Sequence, residues 1–476
     1  MKYLKSRNRR SEARNVELFQ AILQGKEKSL QTRLGTNAYN VLRNRLKTRI
    51  IDFIAKSTIQ KEGSAANELS KTFITAKRLL IQGKASSSFK LLSKLEKQAH
   101  DTENYILEGE VQHLLIEHAH IEGAPDLDAL FTRSSKNLQL QQAHTKLNLA
   151  YARIRLAYQE VEFHGGQIDL AKLLNETFHE FAVSEEIAFG FSSLHQLIQL
   201  YDIYGAYSKN YHEINLFFID KLTTLQEGKT DTEQNSHYHI EILYAVSNIF
   251  FRKKDFTSSL EFLGQMKEQM ERFGGKHSRI YRVKYLMLSA LNYNHIGEAT
   301  EARRLINQAL VINQRSNDTI RTRLALAMLQ IQQGELRECQ RTLAKFSHTD
   351  SWYEKNLGIE WTLHKLTIEI LLHIDLENYE YAESRLKSLM RKHKSFLHAE
   401  GKYQALPFLR LVQMILREPT HVKTDKFHEH VEKSIQWKRA EEEDVFRINF
   451  YAWLKAKMTG SPIYPTLLEL LKIDNS

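Results

Sequence analysis

Histidine-rich segments are the first parts of this chain whose residue types could do chemistry. HLLIEHAH (residues 113–120) and HYHIE (237–241) combine imidazole and carboxylate groups, the ligand types that bind transition metals. His113 and Glu117 are the one pair whose spacing puts two ligands on the same helical face. Because zinc needs three or four convergent ligands, we expect these histidines to lie on the surface and no metal to bind.

The segment QEGKTD (226–231) contains the Gly-Lys-Thr order of a phosphate-binding loop. Such a loop also needs a glycine five residues before Gly228, where Thr223 stands, so we interpret the segment as a linker. No catalytic motif was found, and we expect a non-enzymatic protein without a cofactor. Acids and bases from separate helices could still meet without a local motif.

The elements that must position any site are predicted to be helices. Residues 126–406 contain no proline, and the chain is rich in residues that favour helix. The single cysteine, Cys339, cannot form an internal disulfide, which favours a reducing compartment. There is no membrane-spanning run and no secretory signal at the start, so we expect a cytoplasmic, all-α protein.

A pattern of small residues around a turn stands out in LSALNYNHIGEATEARRLINQALVIN (288–313). Ala290 and Ala302 would sit where two antiparallel helices approach closely, and Gly297 would allow the turn between them. The pattern recurs with turns at Gly83, Lys254, Gly334 and Glu377, and with small residues at Ala76, Ser88, Ser247, Ser259, Ala327, Cys339 and Ala382. This recurrence predicts helical hairpins with a unit of about 40 residues.

Weaker turn signals at Gly123, Gly165, Gly166, Lys209, Pro419 and Gly460 extend the same pitch to about ten hairpins. Any helical protein offers such turns, so these copies are less specific. Four regions follow from the pattern: a basic N-terminal segment with an amphipathic capping helix (1–61), weakly matching hairpins (62–235), better-matching hairpins (236–395) and an aromatic-rich C-terminal cap (396–476).

The small–aromatic–glycine–small spacing resembles the tetratricopeptide repeat, although the unit is longer and most copies lack the usual tryptophan and terminal proline. The resemblance implies an α-solenoid of stacked antiparallel helical hairpins, a superhelix like that of the tetratricopeptide proteins. It also implies a concave groove, lined by the first helix of each hairpin, that binds a peptide or helix of another protein.

Carried over from that family, the groove positions are Tyr244, Asn248, Arg252, Lys284, Asn294, His295, Arg321 and Gln332. Their basic and amide side chains suggest an acidic or C-terminal peptide as the ligand. The alternative is an ordinary solvent-facing surface. In the last clear hairpin, apolar Leu371 and Ile374 stand at these positions, which suggests that the groove narrows or is covered there.

The excess positive charge lies in residues 1–61, with 15 Lys and Arg against four acids. Within them, Ala38, Leu42, Leu46, Ile50 and Phe53 share one helical face. The basic residues of the other sides are Arg43, Arg45, Lys47 and Arg49. This helix could cap the solenoid, bind nucleic-acid phosphates or bind an acidic protein.

Aromatic residues cluster near the C-terminus, at Trp437, Phe446, Phe450, Tyr451 and Trp453. Helical spacing favours a core stripe, although such a cluster could also close the array or form a dimer contact. The leading hypothesis is therefore a protein-binding scaffold or adaptor. The alternative is a nucleic-acid-associated protein whose solenoid recruits a partner.

Overall fold

The computed structural model describes most of the chain. The residues it describes are 13–61, 65–164, 168–183, 190–208, 216–227, 231–312, 317–398, 405–434 and 445–473. Gly165, Gly166, Lys209, Gly228, Trp437 and the Phe446 side chain lie outside this description.

The described residues form 24 α-helices and no β-strand, which confirms the all-α prediction for that part of the chain. In chain order the helices are α1 (Ala13–Leu23), α2 (Glu27–Leu34), α3 (Thr36–Lys61), α4 (Ala65–Ile81), α5 (Ala85–Asp101), α6 (Tyr105–Glu117), α7 (Leu127–His164), α8 (Leu170–Phe181), α9 (Phe191–Ser208), α10 (Leu216–Glu227), α11 (Ser236–Arg252), α12 (Phe256–Glu271), α13 (Ser278–His295), α14 (Ala299–Ile312), α15 (Asn317–Gln332), α16 (Leu336–Leu343), α17 (Asp350–Leu357), α18 (Ile359–Asp375), α19 (Tyr379–Lys392), α20 (Lys394–Leu397), α21 (Ala405–Arg417), α22 (Asp425–Ser434), α23 (Val445–Thr459) and α24 (Ile463–Ile473). No helix in the described ranges is both long enough and apolar enough to cross a bilayer.

The predicted turn residues all have a left-handed backbone. Their φ angles are 75° at Gly83, 65° at Lys254, 98° at Gly297, 74° at Gly334 and 60° at Glu377. At each turn the next residue's N–H donates to the carbonyl five residues earlier, at 2.8–3.0 Å. This bond ends the first helix and reverses the chain, so five helical hairpins are formed where the pattern predicted them.

The predicted small residues form the contact inside these hairpins, and all nine of them are fully buried. The Ser88 hydroxyl donates to the carbonyl of Ala76 at 2.8 Å, twelve residues earlier. Ser259 bonds in the same way to the carbonyl of Ser247, at 2.9 Å, and Cys339 Sγ lies 3.3 Å from the carbonyl of Ala327. A larger side chain at these positions would force the paired helices apart.

Two compact units divide the chain, and the first comprises residues 1–100 and 106–134. Its N-terminal helices α1, α2 and α3 share a small core of Leu18, Leu30, Tyr39, Leu42 and Leu46. The expected apolar face of α3 is therefore partly confirmed. Its buried stripe includes Tyr39, whereas Ala38 and Phe53 are exposed.

The second unit comprises residues 101–105 and 135–476 and contains the hairpins α11–α12, α13–α14, α15–α16 and α18–α19. Weakly matching hairpins were expected across residues 62–235, but one helix of 38 residues, α7, occupies residues 127–164. Gly123 does mark the connection before α7, and Gly460 the turn between α23 and α24, both with positive φ. No hairpin forms within α7 because no helix breaker interrupts its sequence.

Four charged side chains join α17, α18 and α19 in the second unit. Lys365 Nζ lies 3.0 Å from Asp350 and 3.2 Å from Glu369, while Arg385 lies 3.2 Å and 3.0 Å from the same two carboxylates. Burial acts to raise the pKa of Asp350 and Glu369, but the two cations and their hydrogen bonds outweigh it, so both pKa values lie below their ordinary range. This ion-pair cluster therefore favours ionised carboxylates in the folded state.

Candidate functional site

The eight predicted groove residues lie on α11, α13 and α15, the first helices of three successive hairpins. Tyr244, Asn248, Arg252, Lys284 and Arg321 are half-buried, whereas Asn294, His295 and Gln332 are buried. None of the eight is fully exposed, so the expectation that they face solvent is corrected for all of them, and most strongly for the last three. The physical reason is that other parts of the same chain cover this face.

The half-buried cations of this face already have partners within the chain. Lys284 Nζ lies 3.2 Å from Glu241 and 5.4 Å from the centre of the Tyr244 ring. Burial raises the pKa of the Asp202 carboxyl, an effect that the nearby Arg252 guanidinium opposes. These positive charges are therefore largely balanced by acids from α9 and α11, which leaves less charge for an acidic ligand.

Arg321 is held in a similar way at the other edge of this face. Its guanidinium donates to the carbonyl of Leu357 at 3.4 Å. It also lowers the pKa of Glu162 on α7, while burial raises that pKa overall. The end of α7 thus approaches the start of α18, where a Cβ on Gly358 would lie 3.0 Å from the Glu162 side chain.

The C-terminal helices α23 and α24 cover the remaining groove positions. Asn449 Oδ1 accepts a hydrogen bond from Gln332 Nε2 at 3.0 Å and lies 3.3 Å from His295 Nε2. Gln332 in turn accepts from Asn294 Nδ2 at 3.0 Å, and the Tyr464 hydroxyl donates to the carbonyl of Asn294 at 2.7 Å. This network is formed entirely by buried or half-buried groups, so the α23–α24 hairpin is bound specifically to this face.

The same hairpin covers the apolar end of the face, as Leu371 and Ile374 suggested. Both residues are buried in a core that includes Trp453 and Leu454 of α23. Asp375 accepts hydrogen bonds from Trp453 Nε1 at 3.0 and 3.1 Å and pairs with Lys457 at 2.6 Å. Trp453 therefore serves as core, and the partly buried Phe450 and Tyr451 pack against it, which confirms the core interpretation for these three residues. Trp437 and the Phe446 side chain lie outside the described residues.

The histidine clusters do not converge, and His239 is buried at 3% exposure rather than on the surface as expected. His239 Nδ1 lies 3.2 Å from Asp231, His237 Nδ1 lies 3.0 Å from the carbonyl of Gln234, and Glu241 pairs with Lys284 instead. Among the described residues no group of three His, Cys, Asp or Glu side chains could hold a metal ion. His113 and Glu117 belong to no such group within that same part of the chain.

A line of exposed leucines on α7 was not predicted. Leu138, Leu149 and Leu156 are 62%, 50% and 68% exposed. Their spacings of 11 and 7 residues correspond to whole numbers of helical turns, so they share one face over about 27 Å. We call these three residues the leucine stripe. Leu147 and Ile154, on the opposite face, are fully buried and fix the helix to the second unit.

The leucine stripe lies on a strongly basic stretch of helix. Residues 135–156 contain four cations, Lys136, Lys146, Arg153 and Arg155, and no acid. Arg153 pairs with Glu180 at 2.6 Å, and Arg155 lies 5.7 Å from the centre of the Tyr151 ring. Of the four, only Lys146 and Arg153 lie within about 60° of the stripe around the helix. Arg153 is already paired with Glu180, so Lys146 supplies the positive charge beside the exposed apolar line. Its spacing was visible in the sequence, but the expectation of short hairpins in this region concealed it.

The basic side chains predicted on α3 are placed as expected. Arg43, Arg45 and Lys47 are exposed, and Arg49 is half-buried. Leu42 and Leu46, next to these basic residues in sequence, belong to the core of the first unit. The helix is therefore anchored by its buried leucines and exposes several cations to solvent. Comparison with known proteins adds no assignment, because no family model and no curated protein matches the chain.

Proposed function

We propose that this protein is a non-catalytic scaffold of helical hairpins, related in design to tetratricopeptide solenoids, that binds a helix of another protein. The observation that carries this proposal is the leucine stripe of α7. Large apolar side chains exposed in line on a rigid helix are typical of a protein interaction surface. We also propose a cytoplasmic location, because a chain with one cysteine gains no internal disulfide from an oxidising compartment.

The partner surface that fits best is an amphipathic helix with an apolar face and acidic flanks. Lys146 beside the stripe and the absence of acids in residues 135–156 would complement such flanks. A second copy of the chain fits less well, because the two stripes would bring like charges together. Burying the exposed parts of the three leucines would contribute roughly 1–2 kcal/mol each, enough to direct binding.

The face of α11, α13 and α15 is a weaker candidate for the partner site. Its cations are paired within the chain, and α23–α24 already covers Asn294, His295 and Gln332. Binding a peptide there would require the displacement of buried hydrogen bonds. The partner therefore contacts α7, and the face formed by α11, α13 and α15 belongs to the protein's own core.

The test compares capture of a partner from the native host by the wild type and by the Leu149→Ser/Leu156→Ser variant. A matched control, Ile280→Ser/Val311→Ser, removes from other helices two apolar residues that are at least as exposed, at 64% and 78%. We expect the stripe variant to lose the partner while the control retains it. The proposal would be contradicted if both variants retained the partner, or if the Leu149→Ser/Leu156→Ser substitutions changed only the oligomeric state of the protein itself.

A second candidate function is nucleic-acid binding by α3, favoured by its exposed Arg43, Arg45 and Lys47. Each phosphate contact makes binding more salt-dependent, so replacing all three by alanine should reduce the salt slope by up to about 3. The control replaces Lys90, Lys94 and Lys97, which are exposed on α5 of the same unit. If the wild type, the α3 variant and the α5 control showed the same salt dependence of binding, this candidate would be excluded.

A further inference from the structure

The α4–α5 hairpin of the first unit is strongly basic and takes no part in the proposed function. Residues 69–95, which include the turn between the two helices, contain six lysine or arginine residues and no aspartate or glutamate. All six side chains are exposed, and they are Lys71, Lys77, Arg78, Lys84, Lys90 and Lys94. The hairpin therefore presents a local excess of positive charge to an anionic surface.

Two isoleucines protrude from one face of α4. Ile74 is 66% exposed, and Ile81 is 86% exposed, the highest value for a large apolar side chain in the described ranges. Seven residues separate them, so they lie on the same face of the helix, about 10 Å apart. The opposite face packs into the core of the first unit through Leu69 and Ala76. This packing fixes the helix so that both isoleucines point away from the core.

Cations lie on both sides of the two isoleucines. At 100° per residue around the helix, Lys71 and Arg78 lie about 60° and about 40° to one side of Ile74. Lys77 lies about 60° to the other side. Lys71 also pairs with Glu68 at 2.7 Å, but both side chains are exposed and water screens the pair. The exposed face of α4 thus combines apolar tips with flanking positive charge.

This combination matches an anionic bilayer surface more closely than it matches other anionic partners. A fluid bilayer accepts protruding isoleucines without a shaped pocket, and its anionic headgroups attract the cations beside them. A nucleic acid would use the cations but leave both isoleucines in water. A protein partner would need roughly 800 Å² of contact around a packed centre, and two isolated tips on a helix supply little of it.

We propose that the α4–α5 hairpin binds an anionic membrane surface, with Ile74 and Ile81 inserted between the lipid headgroups. The cations around them contact the headgroups, and Lys84 extends this contact from the turn after α4. The binding is peripheral, because only the tips of two side chains enter the bilayer. It depends on both the charges and the isoleucines, so each can be tested separately.

Co-sedimentation of the full chain with lipid vesicles tests the role of charge. Phosphatidylcholine vesicles with roughly 30% phosphatidylserine should bind the wild type at about 0.15 M salt, and pure phosphatidylcholine vesicles should not. Each cation near such a surface contributes about fivefold to binding. The Lys77→Gln/Arg78→Gln/Lys84→Gln variant should therefore bind the mixed vesicles about 100-fold more weakly.

The matched control removes three exposed charges from α3 of the same unit, as Arg43→Gln/Arg45→Gln/Lys47→Gln. Its net charge equals that of the α4 variant, so the comparison separates a specific surface from general attraction. Because charges beyond the screening length act weakly, the control should lose no more than about twofold. An equal loss in the two variants would contradict the assignment to α4.

A second variant tests insertion. Ile74→Ser/Ile81→Ser keeps every charge and should bind the mixed vesicles about tenfold more weakly, because the apolar contact with lipid is lost. The control Ile280→Ser/Val311→Ser, with 64% and 78% exposed side chains in the second unit, should bind as the wild type does. All four side chains are exposed, so their replacement should leave the fold intact.

A fluorescent label reports insertion directly. The native Cys339 is buried, so a nitrobenzoxadiazole reagent should label Ile81→Cys selectively in the folded protein. The emission of this label rises in an apolar environment. It should therefore rise when the mixed vesicles are added to labelled Ile81→Cys, whereas labelled Ile280→Cys should show no change.

Several outcomes would overturn the proposal. They are the absence of wild-type binding to the mixed vesicles, equal binding to neutral vesicles, and an unchanged emission at Ile81→Cys. Unchanged vesicle binding by Ile74→Ser/Ile81→Ser, together with loss of DNA binding in the α4 charge variant, would indicate a nucleic-acid surface instead. The hairpin shares no residue with the leucine stripe, so the Leu149→Ser/Leu156→Ser variant should bind the vesicles normally.

Discussion

Replacing Asn449 by alanine should weaken the attachment of the α23–α24 hairpin to the face formed by α11, α13 and α15. Asn449 is 4% exposed, and its Oδ1 accepts the hydrogen bond from Gln332 Nε2 at 3.0 Å. The alanine variant leaves the buried Gln332 amide without its acceptor, and an unsatisfied buried group of this kind costs about 1–3 kcal/mol. We take about 2 kcal/mol as the expected loss, which corresponds to a roughly thirtyfold change in an opening equilibrium.

Hydrogen exchange measured by mass spectrometry is the appropriate assay, because a chain of this length need not unfold in one step. Amides of α23 and α24 should exchange roughly thirtyfold faster in the Asn449→Ala variant, while those of α11 and α12 change little. Thr459→Ala, at the exposed end of α23, is the control and should change exchange only slightly. Unchanged exchange in α23 and α24 would refute the view that this network holds the hairpin in place.

Three further predictions concern stability and reactivity. The lowered pKa values of Asp350 and Glu369 add stability above the ordinary carboxyl values of 3.8 and 4.5, and this stability is lost as the pH falls through the lower native values. Urea midpoints below pH 5 should therefore fall less steeply in Glu369→Gln, and an identical pH profile would argue against the ion-pair cluster. Gly358 has a φ of 97°, and an added Cβ would meet the Glu162 carbonyl at 3.3 Å, so Gly358→Ala should lose about 1–2 kcal/mol in chemical denaturation. Burial raises the pKa of Cys339 to about 12, so a thiol reagent should modify the native protein only after denaturant is added; rapid native labelling would contradict its placement.

The local pattern of the sequence was enough to predict the hairpins. Gly297 and Gly334 were predicted as turns because glycine adopts positive φ without strain. Lys254 and Glu377 were predicted from the recurring pattern of small residues around them, and both adopt the same backbone conformation. Hairpin contacts join residues twelve positions apart, as in Ser259 with Ser247, so the information that specifies them lies within one repeat.

The candidate surfaces were harder to predict because they depend on contacts between distant residues. Lys284 pairs with Glu241, 43 residues away, and Asn449 binds Gln332 across 117 residues. No local spacing indicates such pairs, so the face formed by α11, α13 and α15 was expected to be accessible to a ligand. The leucine stripe was detectable from its spacing, but whether a leucine is buried or exposed depends on how the second unit packs around α7.

The most direct test of the central claim is site-specific photo-crosslinking from α7 in the native host. A benzophenone amino acid at position 149 reports what touches the leucine stripe, and the same group at position 280 is the control on another exposed helix. The account predicts that position 149 alone crosslinks to one protein, at a helical segment with acidic flanks. Crosslinks from both positions to the same proteins, or only to a second copy of this chain, would contradict it.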